Sequence, residues 1–384
     1  MTCRYEKFTQ IFPQEPSYRW KQIEQALFLE KNKNWSDATS LPAAMREKLA
    51  TEIPWLSLKK NSEVSEPDGS VRKVLFETED GYKIETVLMR NSTGKYSVCV
   101  SSQVGCAMGC AFCATGRLGL KRHLTSDEIV DQLRYWQLSQ IPIYLPHRDG
   151  SALEIPNPKS QTNLKLQFIN HKFENKKNPN PKPQTPPIIT NLVVMGMGEP
   201  MNNYENVRGA LNAILKNTGI GPSHITVSSV GVLPGLNKIL GDKNWPPVCL
   251  AISLHSADLK KRKELMPSST PNFLHDLAEW SKEYLKRFGN RSHYLTFEYI
   301  MLDGINDGDE DAKKLATFTK PLGRAKINLI AYNSAAGEFH PSSPERINAF
   351  MKILQNNDID VTRRQSLGGS IKAACGQLVA KPAK

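Results

Sequence analysis

Three closely spaced cysteines are the residues best suited to chemistry in this chain. Cys106, Cys110 and Cys113 form a C-x3-C-x2-C pattern on a loop that is expected to follow a strand directly. Soft thiolate ligands suit iron, and three of them at these spacings can hold one iron–sulfur cube with one iron left open. The pattern predicts a catalytic [4Fe–4S] cluster. The alternatives are three buried thiols, or a zinc site that a distant histidine completes.

The other four cysteines are scattered along the chain at Cys3, Cys99, Cys249 and Cys375. A total of seven, with three of them in one tight cluster, does not resemble a secreted disulfide framework. A free cysteine is most often a small buried hydrophobic residue. From the residues alone, that interpretation stays open for Cys99 and Cys375.

A second group of candidates lies where predicted strands end. Glycine lets the backbone approach a ligand closely, and a carboxylate beside it can accept hydrogen bonds from an ammonium group. Gly198 and Glu199 stand at one such strand end, and the polar residues Ser228, Ser253 and Asn333 lie toward the ends of three others. Any one of them could be an ordinary strand-end residue, but four strands that end in this way favour a ligand-lined mouth.

These candidates must be positioned by an alternating series of strands and helices. The pattern predicts strands at 97–102, 191–196, 224–232, 248–254, 294–301, 325–331 and 358–363. It predicts helices at 126–139, 204–217, 234–241, 272–288, 308–319 and 343–356. Such alternation implies an α/β fold with right-handed βαβ units, and six or so repeats favour a partial, open barrel. Chemistry in such barrels lies at the carboxyl ends of the strands.

The chain is expected to divide into four parts. Residues 1–65 form a helical accessory domain, helical over 18–60, and residues 66–96 form a β linker with a meander over 71–87. Residues 97–365 form the barrel, interrupted at 141–188 by a Pro- and Lys-rich insertion that cannot build a core. Residues 366–384 form a C-terminal segment that carries Cys375.

Composition limits the partner and the location only loosely. Lysine and arginine outnumber aspartate and glutamate by 50 to 38, and the formal net charge of +12 is a modest argument for a polyanionic partner. No apolar run is long enough to span a membrane, and the first residues lack a signal-peptide core. The expected location is the cytoplasm, with no membrane partner.

Five motifs in order along the chain resemble the RlmN/Cfr family of radical S-adenosylmethionine (SAM) RNA methyltransferases. They are the C-x3-C-x2-C pattern, CVSSQVGC at 99–106, GMGEP at 196–200, ISLH at 252–255 and AACGQL at 373–378. The resemblance covers about residues 18–378 and implies a partial (β/α)6 TIM-like barrel with an N-terminal accessory domain for nucleic acid. It also implies that SAM chelates the open iron and contacts Gly198, Glu199, Ser228, Ser253, Leu254, His255 and Asn333.

The resemblance implies roles for three further residues. Cys375 is methylated by a first SAM, and a second SAM is cleaved reductively to a radical that takes hydrogen from this methyl group. The methylene radical adds to an adenine, and Cys99 then attacks the Cys375 sulfur, which forms a disulfide and releases the methylated base. Glu85 matches the position of the base that removes the ring proton, although the spacing from Glu85 to Cys99 is one residue longer than the family pattern.

The family's substrates are an adenine of 23S ribosomal RNA and the adenine 3′ of some tRNA anticodons. The RlmN branch methylates C2, whereas the Cfr branch methylates C8 and confers antibiotic resistance. The sequence favours C2, although Ser370 stands where the family usually has an aspartate. A flavodoxin-like electron donor and a monomeric state are also expected. Alternatives of other classes are an iron–sulfur RNA-binding protein without catalysis and a radical SAM activase or thiotransferase.

Overall fold

The computed structural model describes eight stretches of the chain. They are residues 3–91, 93–139, 143–146, 152–155, 189–289, 294–333, 339–364 and 366–379. Most of the predicted insertion at 141–188 lies outside the described residues. No helix in the described stretches is both long and apolar enough to cross a membrane.

The N-terminal part consists of three helices with a core of their own. These are α1 (Arg4–Ile11), α2 (Ser17–Phe28) and α3 (Ala43–Glu52). Phe8, Ile23, Trp35 and Leu49 are buried together between them, as an apolar stripe at helical spacing requires. This core supports the predicted accessory unit.

Three antiparallel strands follow the helices. The helical stretch predicted over 18–60 was too long, because the first of these strands begins before residue 60. The strands are β1 (Leu58–Ser65), β2 (Val71–Thr78) and β3 (Lys83–Arg90). Leu58 begins a strand because its stretch pairs with β2 along its whole length and has no helical apolar stripe. Since β1 is an edge strand, its exposed Lys59 and Lys60 discourage pairing with another chain. The predicted boundary at residue 65 therefore cuts a continuous meander.

The remaining elements alternate. The next are β4 (Tyr96–Cys99), β5 (Gln103–Cys106), β6 (Gly119–His123), α4 (Ser126–Leu138), β7 (Ile143–Pro146), β8 (Ala152–Ile155) and β9 (Ile189–Val194). They are followed by α5 (Tyr204–Asn217), β10 (Ile225–Ser229), α6 (Leu233–Gly241), β11 (Cys249–Ser253), α7 (Leu259–Leu265) and α8 (Phe273–Phe288). The last are β12 (Leu295–Met301), α9 (Asp309–Thr319), β13 (Ala325–Ala331), α10 (Pro344–Asn356) and β14 (Asp360–Arg364).

The main sheet confirms the predicted fold class. Its order is β1-β2-β3-β4-β9-β10-β11-β12-β13-β14, and every pairing from β4 to β14 is parallel. Helices follow each of the first six parallel strands, so the chain forms a partial (β/α)6 barrel with β14 closing the series. Parallel strands are covered on both faces, and accordingly all seven residues of β12 are buried.

Local signals explain where the barrel helices begin. Thr125 accepts a hydrogen bond from the backbone N–H of Glu128 at 3.2 Å, and the Glu128 carboxylate accepts one from Thr125 N–H at 2.8 Å. These two hydrogen bonds form a capping box at the start of α4. The short features that were not predicted include helices α1 and α7, and the hairpins in which β5 pairs with β6 and β7 pairs with β8.

Candidate active site

A cavity of about 340 Å³ lies at the carboxyl ends of the parallel strands. All of the predicted site residues except Glu85 and Leu254 line it. The lining residues among them are Cys99, Cys106, Cys110, Cys113, Gly198, Glu199, Ser228, Ser253, His255, Asn333 and Cys375. The fold therefore brings together residues that are far apart in the sequence.

The three clustered cysteines lie in one wall of this cavity. Cys106 is the last residue of β5, and Cys110 and Cys113 follow on the loop that leads to β6. A tight approach of β5 and β6 shapes the loop, because a Cβ at Gly105 would lie 1.9 Å from the carbonyl oxygen of Gly119. Only glycine fits there.

Burial holds these thiols in their neutral form. It raises the pKa of Cys106 to about 11, and it also raises the pKa values of Cys110 and Cys113. A positively charged iron cluster would reverse this effect, since a coordinating thiol is deprotonated by its metal. Among the described residues, no three His, Cys, Asp or Glu side chains surround a point suited to a single metal ion. A cube has a different requirement, because each thiolate binds its own iron, and a cavity wall of three thiols provides that donor set.

The GMGEP segment after β9 is joined tightly to the strand that leads to the cysteines. Met197 N–H donates to Ser101 Oγ at 2.9 Å, and Glu199 N–H donates to the side-chain oxygen of Gln103 at 2.8 Å. Gly198 has φ +105°, and a Cβ there would lie 2.5 Å from Cβ of Gln103. Packing against Gln103 therefore requires a glycine at position 198, whether or not a ligand also approaches this backbone.

The Glu199 carboxylate is fixed at the cavity wall by two backbone groups. Its Oε1 accepts from Met201 N–H at 2.9 Å, and its Oε2 accepts from Val230 N–H at 2.8 Å. Burial raises its pKa, while these two hydrogen bonds act in the opposite direction. Each carboxylate oxygen keeps a second lone pair, so Glu199 can still accept from an ammonium group in the cavity.

Polar side chains from three strands complete this side of the cavity. The hydroxyl oxygens of Ser228 on β10 and Ser253 on β11 are 3.5 Å apart, because their parallel strands end side by side. Asn333, after β13, donates to Ser366 Oγ at 3.2 Å. Both serines and this amide therefore line one cavity at the carboxyl ends of β10, β11 and β13.

His255 adopts an unusual backbone conformation, with φ +57°. Its Nδ1 accepts from Ile300 N–H at 3.0 Å, which places the ring hydrogen on Nε2. Burial lowers its pKa to about 3, with Arg262 as a second cause, so the ring is neutral at pH 7. The ring packs edge-on against Phe112, the aromatic residue just before Cys113, with centroids 4.8 Å apart. Neighbouring Leu254 is fully buried and lies outside the cavity lining.

Arg262, on the unpredicted helix α7, holds two of these strand ends together. Its guanidinium donates to the carbonyl oxygens of Val230 at 2.7 Å, Leu254 at 3.1 Å and Ser253 at 3.3 Å. It is buried, and burial lowers its pKa to about 9. Sequence patterns could not indicate this role, because Arg262 belongs to a run of lysines and arginines typical of a solvated surface.

The C-terminal segment, residues 366–379, crosses the cavity without helix or strand structure. It is anchored to the cysteine loop, where Ala114 N–H donates to Gly376 O at 2.8 Å and Thr115 Oγ1 donates to Leu378 O at 2.6 Å. A second anchor joins Ser370 Oγ to Glu66 Oε1 at 2.9 Å. At position 370, where the resembled family usually has an aspartate, this chain has a serine that donates to an acidic residue of the β1–β2 turn.

Cys375 is an exposed residue of this segment, and it lines the same cavity as Cys99 and Cys113. Cys99, at the end of β4, is buried, and this burial raises its pKa to about 12. Arg364, at the end of β14, lines the cavity as well.

Glu85 lies outside the cavity lining, beneath the C-terminal segment. Its carboxylate accepts from Val379 N–H at 2.8 Å and is 2.9 Å from Lys73 Nζ. It remains close to the cysteine strand, because Val87 pairs with Cys99 in the antiparallel β3–β4 register.

Comparisons with known proteins agree with this geometry. No protein-family model matches the chain. The dual-specificity RNA methyltransferase RlmN of Syntrophobacter fumaroxidans is 37% identical over 373 residues, which cover 96% of this chain and 93% of that protein. The ribosomal RNA large subunit methyltransferase N of Nitrosopumilus maritimus is 33% identical over 371 residues, covering 94% and 92%.

A solved structure is also similar over the whole chain. The radical SAM methyltransferase from Sphaerobacter thermophilus is 34% identical and superimposes with a TM-score of 0.78, covering 98% of this chain and 97% of that one. The fold and the cysteine-lined cavity therefore define a radical SAM methyltransferase. More specifically, the chain belongs to the RlmN family of radical SAM RNA methyltransferases and is an enzyme, which confirms the resemblance found in the sequence.

Proposed function

We propose that this protein methylates C2 of an adenine in 23S ribosomal RNA and C2 of the adenine 3′ of the anticodon in tRNA. The observation that carries the proposal is the shared cavity, in which Cys375 and Cys99 meet the three clustered cysteines and the strand-end residues. Relatives named as dual-specificity RNA methyltransferases, and one named as a ribosomal RNA large subunit methyltransferase, support RNA as the substrate.

Cys106, Cys110 and Cys113 would hold a [4Fe–4S] cluster, and the strand-end residues would hold SAM. Glu199 is oriented to accept from the SAM ammonium group, and the serines and Asn333 can bind its other polar groups. Leu254 can contribute only through its backbone, since its side chain is fully buried. The bound cluster and the second of two SAM molecules per turnover supply the radical chemistry that activates a methyl group.

Cys375 is the methyl carrier in this proposal. It is exposed at the cavity edge, so its sulfur can attack the methyl group of a first SAM and then reach an RNA base. The covalent link between the Cys375 sulfur and the base needs a second thiol to break it. Cys99 lies in the same cavity and would form an S–S bond with Cys375 while the S–C bond breaks, and the electron pair remains on the carbon, which takes a proton.

Glu85 would remove the ring proton from the RNA adduct. In this structure the Val379 N–H donates to Glu85 Oε2. For Glu85 to act as the base, this hydrogen bond must break when RNA binds. Lys73 Nζ, 2.9 Å from Glu85 Oε1, would hold the carboxylate in place until then. A flavodoxin-like electron donor, a monomeric state and a cytoplasmic location complete the proposal.

The test uses the full chain, reconstituted without oxygen, with methyl-labelled SAM and transcripts of 23S RNA and tRNA. We expect label in 2-methyladenosine after RNA digestion, and one added methylene on Cys375 in the intact protein. Cys375→Ala should transfer no label, and Cys99→Ala should accumulate a protein–RNA adduct. Cys249→Ala is the matched control, because Cys249 lies outside the cavity lining.

Each alternative predicts a different result. Label in 8-methyladenosine would move the protein to the Cfr branch. RNA binding without transfer of label would indicate an iron–sulfur RNA-binding protein. An unmodified Cys375 would contradict the carrier role, and protein that retains no iron would contradict the cluster.

A further inference from the structure

Gln103, on β5, holds the backbone of the GMGEP segment at two points. Its N–H donates to Met197 O at 3.1 Å, and its side-chain Oε1 accepts from Glu199 N–H at 2.8 Å. Gln103 is fully buried, and Gly198 fits between these two contacts because it has no Cβ to meet the Gln103 side chain. The position of the Glu199 backbone therefore depends on the conformation of that side chain.

The Gln103 side chain is itself held by His123, its neighbour on the paired strand β6. These two residues are opposite each other in the β5–β6 register, and Gln103 Nε2 lies 2.9 Å from His123 Nδ1. Because Glu199 N–H can only donate, it faces the amide oxygen, and the amide NH2 group must then face the ring. His123 Nδ1 is therefore the acceptor of this second hydrogen bond. Within the described residues, Gln103 Nε2 has no other hydrogen-bond partner.

Met197, two residues before Glu199, is held without His123. Its N–H donates to Ser101 Oγ at 2.9 Å, and its carbonyl oxygen also accepts from Ser102 N–H at 2.8 Å. The Glu199 N–H, in contrast, is bound by one buried side chain, which His123 orients from the protein surface. A change at residue 123 should therefore affect Glu199 and leave Met197 unchanged.

We propose that His123 is a positioning residue that orients Glu199 toward SAM through Gln103. This inference rests on the proposed function, in which Glu199 accepts from the SAM ammonium group, and it deepens that function. The Glu199 carboxylate is fixed by its own two backbone donors, so His123 acts on the backbone that carries it. His123 lies outside the cavity lining and would therefore act on SAM only through these two residues.

The experiment measures hydrogen–deuterium exchange of the full chain as purified, before SAM or RNA is added. Mass spectrometry with electron-transfer fragmentation resolves the amides of Glu199 and Met197. The variants are His123→Leu, which removes the acceptor, and His123→Asn, whose Oδ1 can accept in place of Nδ1. His224→Leu is the matched control, because Asn191 Nδ2 lies 3.2 Å from His224 Nδ1 in the same kind of contact and neither residue lines the cavity.

We expect the Glu199 amide to exchange about fivefold faster in His123→Leu, the size of effect that the loss of one hydrogen bond produces. His123→Asn should restore slow exchange, and His224→Leu should match the parent chain. The Met197 amide should be unchanged in all three variants, which shows that the fold is intact. Equal Glu199 exchange in His123→Leu and His224→Leu would overturn the proposal, and so would equal acceleration at Met197 and Glu199.

Calorimetric titration of the reconstituted protein then measures SAM binding. We expect His123→Leu to weaken this binding about threefold and His123→Asn to restore it. Unchanged SAM affinity in His123→Leu would overturn the inference even if the Glu199 amide exchanges faster. Neither measurement involves RNA, so failure of this inference and failure of the proposed methylation are distinguishable.

Discussion

Replacing Gly198 by alanine tests whether the segment after β9 positions Glu199. At φ +105° a residue with a side chain costs about 1–3 kcal/mol of backbone strain. The new Cβ would also lie 2.5 Å from Cβ and 2.7 Å from Cγ of Gln103, and such overpacking adds about 1–3 kcal/mol. We therefore expect the free energy of unfolding to fall by about 2–6 kcal/mol.

Gly81→Ala provides the matched control for this change. Gly81 has φ +82° in the turn between β2 and β3, and no atom lies within 4 Å of the position of its added Cβ. This variant should show only the backbone strain, about 1–2 kcal/mol. The difference between the two variants measures the contact of residue 198 with Gln103.

Urea unfolding followed by circular dichroism measures the stability, and calorimetric titration measures SAM binding. Because Glu199 N–H donates to Gln103, a shift of this segment also moves the Glu199 carboxylate. We expect Gly198→Ala to weaken SAM binding at least about tenfold, a loss of about 1.4 kcal/mol, and Gly81→Ala to leave it unchanged. Equal stability losses together with equal SAM affinities in the two variants would refute the reasoning.

Three further predictions concern the surroundings of the site. Lys73→Met removes the cation that pairs with the buried Glu85 carboxylate. This change should lower the free energy of unfolding by about 3 kcal/mol in urea titrations. The double variant that also carries Glu85→Gln should recover part of that loss. Ser370→Asp places a second carboxylate beside Glu66, so limited proteolysis should cut the C-terminal segment faster, and Glu66→Gln should reverse this effect. His255 has an ordinary pKa of 6.5 and a folded pKa of about 3, so the unfolded chain binds more protons between these values and stability falls as the pH drops through this range. His255→Asn should remove about 2 kcal/mol of that loss between pH 7.5 and pH 5 in calorimetry, and an unchanged pH dependence would contradict the assignment.

The sequence predicted the barrel well because its elements have strong periodicity. Helix α5 and strand β13 have the predicted bounds of 204–217 and 325–331. The errors fall where periodicity is weak. Strand β1 follows three helices without a break in composition, and α7 has only seven residues, all of them lysine, arginine, glutamate or leucine. Burial against other elements decides the structure of such stretches, and a local pattern does not contain that information.

The same limit applies to the site. The cysteines and the strand-end residues were predicted because motifs and strand ends mark them. Arg262 and Lys73 were missed, because a basic residue gives no sequence signal of whether it meets solvent, a carbonyl group or a buried carboxylate. The roles of the predicted residues in catalysis stay predictions that the experiments above test.

The two kinds of attachment at the cavity suggest how one cysteine can move while the others stay fixed. Cys99 and Cys106 end strands whose ladders hold them in place. Cys375 belongs to a segment without a ladder, which is held by separate hydrogen bonds to Glu66, Thr115 and Glu85. Each such bond contributes only about 0.5–1.5 kcal/mol, so the segment can leave one contact without disturbing the barrel. A methyl carrier that must meet SAM, an RNA base and then Cys99 requires this freedom.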